Sequence, residues 1–295
     1  MVPVTLLTVD AMTSIIVITC NQLAAIRRCL ESIRECTRDP YELIVIDNHS
    51  ADGTRKYLKS CQAAKIVFNS ENVGYARGVN QGVRLSEGRY LVLLNNDTMV
   101  TPGWLHTMIA CLESDPRIAL VGPMTSDHDC REQFFRPACL SYVDSSYFKK
   151  KLTDVFQSPD GRLLRIGRYR NEKELTQFAR EFFPVREQNH PSSREVIVVT
   201  GFCMLMRRSL FDELGFLDER FENGAEDCDF TLRALLAGKK IVVAEQAFVH
   251  HDAGRTFSGL GIDRWSHYAK NWRQLERKWV KHPRAREIIK QMAGS

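Results

Sequence analysis

The sequence predicts an α/β protein whose central sheet is mostly parallel and carries helices on both faces. Two observations support this prediction. Short apolar runs rich in β-branched residues alternate along the chain with segments whose apolar residues recur at helical spacing, which is the pattern of successive strand–helix–strand units. One of the runs, YLVLL at 90–94, is apolar throughout, as expected for a strand that is buried on both of its faces.

The first half of the chain follows this alternation without interruption. Strands are predicted at 14–19, 41–46, 66–68, 90–94 and 118–121. Helices are predicted at 23–35, from Thr54 onward, at 75–86 and at 102–113. The last helix is placed from Pro102, because a proline is tolerated in the first helical turn. Crossover connections between parallel strands are right-handed, so these units are expected to form one sheet.

A polar segment at 127–193, which contains four prolines, interrupts the alternation. It is predicted to be a loop-rich insertion with a local helix at 172–182, of the kind that often carries specificity. Regular structure then resumes, with strands predicted at 195–200, 203–206 and 240–243 and helices at 209–214 and 230–236. We therefore divide the chain into a main domain, 1–263, that includes the insertion, and a C-terminal helical segment, 264–295.

The C-terminal segment is strongly basic. It holds nine Lys or Arg and two Glu, a balance of +7 in a chain whose net charge is +5. One apolar stripe runs along its predicted helix and consists of Trp265, Tyr268, Trp272, Leu275 and Trp279. The stripe favours docking of the helix on the main domain, and it leaves open insertion at a lipid interface or a coiled-coil dimer.

Bulk properties exclude several classes of protein. The sequence has no run of about 18 apolar residues, so no membrane span is predicted. Its first twelve residues lack the positive charge of a signal peptide. Nine cysteines without a CxxC pair predict reduced thiols instead of a disulfide framework or zinc site. We expect a cytoplasmic protein without a nucleic-acid partner, and the basic segment leaves open peripheral contact with the cytoplasmic face of the membrane.

Polar clusters follow predicted strands or open a helix. They are Asp47-Asn48, Asn95-Asn96-Asp97, Glu226-Asp227 and His250-His251. Each cluster alone is equally consistent with ordinary turn or helix-end chemistry. Ligands of α/β proteins bind at the carboxyl ends of the strands, so the joint placement predicts a site at that edge of the sheet. Oxygen ligands such as Asp97 suit a divalent cation that carries a phosphorylated ligand.

Seven blocks of the sequence, in order, resemble the family 2 glycosyltransferases. The blocks are SIIVITCN, ELIVIDNHSADGT, NSENVGYARGVNQG, GRYLVLLNNDTMVTPGWL, DPRIALVGP, GFCMLMRRSLFDELGFLDERF and EDCDFTLRALLAGKKIVVAEQAFVHHDAGRTF. The resemblance implies a Rossmann-like GT-A fold. It also implies an inverting, metal-dependent transfer of sugar from a UDP- or dTDP-sugar to a nucleophile such as an acceptor hydroxyl, in the synthesis of surface glycan, glycolipid or glycosylated protein.

The resemblance further implies roles for individual residues. The implied donor-binding residues are Thr19, Asn21, Asp47, Asn72, Gly74, Arg77, Asn80, Asn95 and Asn96. Asp97, at the last position of the family's D-x-D motif, and His251 are the implied ligands of Mn²⁺ or Mg²⁺. His250 is the alternative, because adjacent strand residues point to opposite faces. Asp227 is the implied general base, and Glu226 is implied to hold the acceptor or to orient the loop.

One position departs from the family pattern. Asn95 occupies the first D-x-D position and brings no charge, so we expect weak metal binding in the absence of nucleotide. Two other functions remain open. A sugar-nucleotide pyrophosphorylase would have a glycine-rich basic loop where this chain has TCNQ, and a non-catalytic nucleotide-sugar-binding module would lack the acidic pair. The sequence does not specify the donor sugar, the oligomeric state or the acceptor, which could be a glycan, a lipid-linked sugar or a protein.

Overall fold

The computed structural model describes residues 12–61, 64–126, 133, 141–143, 155–157, 163–165, 172–183, 192–252 and 264–294. The strands are β1 Thr13–Thr19, β2 Tyr41–Asp47, β3 Ala64–Phe68, β4 Tyr90–Asn95, β5 Thr98–Val100, β6 Ile118–Met124, β7 Ser141–Val143, β8 Val155–Gln157, β9 Leu163–Arg165, β10 Ser193–Val196, β11 Cys203–Arg207 and β12 Lys240–His251. The helices are α1 Leu23–Cys36, α2 Thr54–Lys59, α3 Tyr75–Leu85, α4 Trp104–Ser114, α5 Glu172–Phe182, α6 Ser209–Leu214, α7 Glu226–Leu236, α8 Arg264–Trp279 and α9 Pro283–Gly294.

The main sheet joins two parallel blocks through one antiparallel strand. Its described strands lie in the order β10-β12-β6-β11-β4-β1-β2-β3, and β5 pairs with β12. Strands β1, β2, β3 and β4 pair in parallel, as do β6 and β12. Strand β11 is antiparallel to both β4 and β6 and connects the blocks. The predicted α/β architecture is confirmed, although antiparallel strands contribute more to the sheet than the sequence suggested.

Helices cover both faces of this sheet. Val92 and Leu94 of β4 belong to one core cluster, which includes residues of α1 and α4. Leu91 and Leu93 alternate to the opposite face and pack in a second cluster with residues of α3, α6 and α7. Because β4 is buried on both sides, it is apolar throughout, as predicted. Its polar end emerges at one edge of the sheet.

Several predicted boundaries are wrong for local reasons. Helix α4 begins at Trp104 after Gly103, whose φ is +79°, so Pro102 precedes the helix. Strand β10 ends at Val196, because it is a short edge strand that pairs only with β12. Helix α7 begins four residues before its predicted start, and its first turn holds acidic side chains that the helix dipole favours. Strand β12 continues through a register shift to His251 as one element.

The insertion contains a predicted helix and an additional sheet. Helix α5 has the predicted bounds, Glu172–Phe182. Strands β7, β8 and β9 form a small antiparallel sheet that periodicity did not reveal, since each has only three residues. The remainder of the insertion, apart from residues 133, 183, 192 and 193, lies outside the described residues, as does the glycine-rich stretch at 253–263.

The C-terminal segment docks on the main domain. Leu275, Trp272 and Trp279 pack in a cluster with Phe221 and Leu232. This packing buries Leu275 and partly buries Trp272 and Trp279, while Tyr268 stays exposed, so docking on the main domain is confirmed for this part of the stripe. The second helix of the segment, α9, was not predicted and packs in the same cluster. Among the helices of the described ranges, none combines the length and apolar character that a membrane crossing requires.

Candidate active site

The predicted site residues gather at the carboxyl ends of adjacent strands. Thr19 at the end of β1 pairs with Asp47 at the end of β2. Asn95 at the end of β4 pairs with Ile18 on the other side of β1. The parallel register therefore places the polar ends of three strands at one edge of the sheet, as the joint placement of the clusters predicted.

Asp47 is the most deeply buried acid at this edge, with no exposed surface. Its Oδ2 accepts hydrogen bonds from the Ser50 amide, at 3.2 Å, and from Arg55 Nε, at 2.6 Å. Its Oδ1 is buried and accepts no hydrogen bond from the described part of the chain. A buried carboxylate oxygen without a donor carries a desolvation cost. This oxygen can therefore accept from an imide N–H or a ribose hydroxyl.

Three neighbouring polar side chains hold the surrounding loops. Asn21 adopts φ +61°, and its Oδ1 accepts from the Ala51 amide at 2.8 Å. The Thr19 hydroxyl donates to the Asn21 carbonyl and accepts from Asn96 Nδ2 at 2.9 Å. These contacts fix the ends of β1 and β4 relative to each other. The side chains of Thr19, Asn21 and Asn96 thus form these hydrogen bonds with other groups of the protein.

The stretch before and within α3 divides into two parts. Gly74 precedes the helix with φ +82°, a conformation that favours glycine, and its amide donates to Asn72 Oδ1 at 3.0 Å. Arg77 is exposed one turn later. Asn80 is buried instead, and its amide bonds to both backbone groups of Leu217 and to Glu219 Oε1. Its amide thus connects α3 to the loop after α6, and the described hydrogen bonds of Asn80 are made within the protein.

Asp97 and His251 come together beside the end of β4. Asp97 Oδ1 lies 3.4 Å from His251 Nε2, and the His251 ring stacks on Phe202 with a centroid separation of 4.8 Å. Within the described residues, Asp97 Oδ1 is buried and accepts no hydrogen bond. A carboxylate oxygen and an imidazole nitrogen at this separation form a donor set that suits Mn²⁺. The described residues contain no cluster of three or more His, Cys, Asp or Glu suited to a metal, so other ligands would have to complete the shell.

His250 faces away from this pair. It is buried, and its Nδ1 lies 2.7 Å from the Ser126 hydroxyl. Burial lowers the pKa of His250 to about 4. The alternation along β12 therefore places His251, and not His250, beside Asp97.

The acidic pair opens α7. Asp227 Oδ2 accepts from the Gly201 amide at 2.8 Å, and its Oδ1 accepts from the Cys228 amide at 2.8 Å. Glu226 is buried, and its Oε2 accepts from the Gly224 amide. Burial and the adjacent Asp227 charge raise the pKa of Glu226 to about 8. Below that pH Glu226 is a buried neutral acid next to Asp227, which is an arrangement suited to proton transfer.

Sequence reasoning missed Tyr75, Gly201 and Asn223, which surround the acidic pair. The Tyr75 hydroxyl donates to the Gly201 carbonyl at 3.0 Å. Burial, together with the charges of Glu226 and Asp227, raises the pKa of Tyr75 well above its ordinary value, so the hydroxyl keeps its proton. One signal was available: the Asn-Gly dipeptide at 223–224, one residue before the acidic pair, is typical of a tight, positive-φ loop.

Two protein-family models match this chain. Residues 14–215 match the family model described as Glycosyl transferase family 2, and residues 154–288 match a second model, Glycosyl transferase family group 2. The chain is 26% identical over 257 residues to the N-acetylglucosaminyl-diphospho-decaprenol L-rhamnosyltransferase of Mycobacterium tuberculosis, which covers 83% of this chain and 76% of that protein.

Two solved structures share the fold. A mannosyltransferase from Pyrobaculum calidifontis in complex with GDP-Man and Mn²⁺ matches with a TM-score of 0.58 at 18% identity, over 90% of this chain and 64% of that one. GalNAc-T7 with UDP, GalNAc and Mn²⁺ matches with a TM-score of 0.56 at 16% identity, over 83% of this chain and 44% of that one. This chain thus spans less than two thirds of either protein. The predicted GT-A fold is confirmed by these likenesses.

Proposed function

Because the chain belongs to glycosyl transferase family 2, we propose that it transfers a sugar, with inversion, from a nucleoside-diphosphate sugar to an acceptor hydroxyl. The observation that supports this proposal best is the acidic pair, Glu226-Asp227, at the start of a helix beside the strand-end cluster. A non-catalytic binding module has no need for a carboxylate paired with a buried neutral acid. A pyrophosphorylase would bind phosphate in a basic loop after β1, where this chain has Cys20, Asn21 and Gln22.

In the proposed mechanism, Asp47 Oδ1 accepts a hydrogen bond from the base or ribose of the donor. The donor diphosphate lies along Asn72, Gly74 and Arg77, where glycine permits close approach and Arg77 provides a charge-assisted contact. Asp227 takes the proton from the acceptor hydroxyl as its oxygen attacks the anomeric carbon. The leaving nucleoside diphosphate departs from the opposite face of the sugar, so one displacement inverts the anomeric configuration.

We assign Asp97 and His251 as the residues that would hold a divalent cation, Mn²⁺ or Mg²⁺. This assignment is supported by Asp97 Oδ1, which lacks a hydrogen bond from the described residues, and by its approach to His251. A bound cation would offset the negative charge that develops on the nucleoside diphosphate. Both matched structures contain Mn²⁺.

We propose a lipid-linked sugar as the acceptor. The mycobacterial relative carries such a lipid-linked acceptor in its name, and it matches most of this chain. The insertion and the residues around 253–263 are the segments that would shape acceptor choice. A free glycan or a protein side chain would give a different product in the assay below.

A donor panel tests the proposed function. Purified protein with Mn²⁺ is incubated with UDP-, dTDP- and GDP-sugars and a lipid-diphosphate sugar acceptor, and products are identified by mass spectrometry and NMR. We expect one donor to release nucleoside diphosphate and to give a product of inverted anomeric configuration, with activity lost in EDTA. Release of pyrophosphate, retention of configuration, or donor binding without turnover would contradict the proposal.

We further propose that the basic face of α8 and α9 contacts anionic lipid, which would place the protein at the cytoplasmic face of the membrane. The two helices and the turn between them carry six exposed cations that have no ion-pair partner among the described residues, which we call the basic face: Arg273, Arg277, Lys281, Arg284, Arg286 and Lys290. The exposed acids Glu276 and Glu287 lie on the same helices. Exposed Val280 lies among them at the turn between the helices. Each such cation near an anionic surface contributes about 1 kcal/mol.

Vesicle pelleting tests this contact. We expect the protein to pellet with phosphatidylglycerol vesicles, to stay in solution with phosphatidylcholine vesicles, and to be released by about 0.5 M salt because screening shortens the range of the attraction. Replacing Arg273, Arg277 and Lys281 by Gln should reduce pelleting. The matched control replaces Lys239 and Lys240, which pair with Glu213 and Asp115. Equal loss in both variants would contradict a specific basic face.

A further inference from the structure

A chain of hydrogen bonds links the helix that follows the donor stretch to the proposed base. Asp227 Oδ2 accepts from the Gly201 amide at 2.8 Å. The Gly201 carbonyl accepts from the Tyr75 hydroxyl at 3.0 Å. The Tyr75 amide donates to Asn223 Oδ1 at 3.0 Å. Asn223 lies four residues before Asp227 in the sequence. The three hydrogen bonds and the backbone from 223 to 227 therefore form a closed ring that includes the acidic pair.

The loop in this ring has a backbone that requires external support. Asn223, Gly224 and Ala225 have φ values of +56°, +149° and +66° in succession. Non-glycine residues at positive φ cost on the order of 1 kcal/mol or more each and persist where the surrounding structure imposes them. Asn and Gly adopt positive φ readily, so this cost falls mainly on Ala225, the residue directly before Glu226.

Contacts from both sides impose this conformation. On the inner side, Asn223 Oδ1 is held by the first amide of α3, which follows Gly74 of the donor stretch. On the outer side, Asn271 of α8 is buried and donates to the Glu222 carbonyl at 3.0 Å. The Tyr268 ring lies so close to Gly224 that a Cβ there would approach it to 3.0 Å. The loop is thus held between α3 and α8.

We propose that Tyr75 and Asn223 are positioning residues that fix Asp227 relative to the donor stretch, acting through Gly201 and through the loop. This inference rests on the proposed function. It gives the Tyr75 hydroxyl a role that does not require contact with substrate. It also makes the orientation of the base depend on the conformation of the start of α3, where the donor diphosphate is proposed to lie.

The test is a double-mutant cycle between Tyr75→Phe and Asp227→Asn. Tyr75→Phe removes only the hydroxyl, and we expect kcat to fall about fivefold to tenfold, as for loss of one hydrogen bond, with the donor KM changed less than about twofold. In the Asp227→Asn background the same change should have no further effect, because a positioning residue acts through the base. Tyr90→Phe, which removes a hydroxyl that contacts Glu113, is the matched control.

Two substitutions of Asn223 test whether its hydrogen bond to the Tyr75 amide matters. Asn223→Gly tolerates the positive φ but removes the acceptor for the Tyr75 amide, and we expect it to lower kcat like Tyr75→Phe. Asn223→Asp keeps an acceptor oxygen, so its kcat should stay within about twofold of that of the unmodified protein. Equal losses in both variants would contradict a role that depends on this hydrogen bond.

A second measurement does not depend on turnover. Amide hydrogen exchange of residues 221–229 should accelerate in Tyr75→Phe and Asn223→Gly and stay unchanged in Tyr90→Phe. Faster exchange in a protein that transfers no sugar would overturn the proposed function and leave the loop architecture supported. Unchanged exchange, a full kcat in Tyr75→Phe, or an equal loss of rate in the Asp227→Asn background would overturn the positioning role.

Discussion

Asp227→Asn is expected to lower the rate of sugar transfer by about 10²–10⁴-fold, which is the usual contribution of a general base. The amide preserves the size of the side chain, and its one oxygen can still accept from the Gly201 amide, while the Cys228 amide loses its acceptor. It cannot take the proton of the acceptor hydroxyl. Single-turnover kinetics with saturating donor measure the loss, and donor binding by calorimetry should change little.

The exposed Asp212 of α6 provides the control for this variant. Asp212→Asn removes the same charge away from the acidic pair and should leave the rate unchanged. Full activity in Asp227→Asn would exclude this residue as the base. A parallel loss of donor affinity would indicate that the carboxylate holds the donor and does not act on the acceptor.

Glu226 should give the same reaction a characteristic pH dependence. Its pKa is raised to about 8 by burial and by Asp227, so the side chain is protonated below that pH and charged above it. We expect kcat to fall as pH rises through about 8, because a second negative charge then appears beside Asp227. Glu226→Gln stays neutral and should lack this fall.

The raised pKa of Glu226 in the folded state also means that the free energy of unfolding decreases as pH rises from the unfolded pKa of about 4.3 to about 8.

The framework of this site was predictable because it depends on short-range patterns. Strand ends are visible where an apolar run meets polar residues, as at Asp47 and Asp97. The parallel register then brings these strand ends together, and it does not depend on the conformation of the loops. The same argument identified two adjacent histidines of which one faces the site, and the structure places His251 beside Asp97.

The errors concern contacts between residues far apart in sequence. Asn80 has the appearance of a polar residue on a ligand-binding helix, yet its amide is bound by residues 137 and 139 positions later. Tyr75 reads as an apolar residue at a helix start, and its partners Gly201 and Asn223 lie more than 120 positions away. Local propensity carries no information about partners so far away along the chain. A single sequence considered by itself offers no other information about long-range contacts.

The C-terminal segment also acquires a role that its sequence did not indicate. Asp229, in the first turn of α7, is fully buried and contacts Lys278 Nζ at 2.7 Å, Trp279 Nε1 at 2.9 Å and Arg233 Nε at 3.0 Å. Loss of a partner from a buried ion pair costs about 3–5 kcal/mol. Helix α8 therefore stabilises the end of α7 that carries the acidic pair. The segment thus supports the proposed base, and its residues up to 288 lie within the second family-model match.

Manganese binding is expected to depend on the two ends of the NND sequence, Asn95 and Asp97. Asp97→Asn removes the charged oxygen that faces His251, and we expect calorimetry in the presence of UDP to show Mn²⁺ binding weakened by more than about tenfold. Asn95→Asp adds a carboxylate at the end of β4 and should tighten binding about tenfold, because affinity for hard cations rises with the number of charged oxygen ligands. The two substitutions thus change the same site in opposite directions.

The unmodified protein should bind Mn²⁺ weakly until a nucleoside diphosphate is added. With Asp97 and His251 as its protein ligands, the cation would have an incomplete shell, and diphosphate oxygens would supply further ligands. Titrations with and without UDP measure this dependence, and reciprocity requires Mn²⁺ to raise the affinity for UDP by the same factor. Tight Mn²⁺ binding by the free protein, or unchanged binding in Asp97→Asn, would mean that the ligands lie elsewhere. Under the proposed arrangement, the uncharged Asn95 makes metal binding depend on bound donor. The cation that would assist departure of the nucleoside diphosphate therefore binds together with the donor.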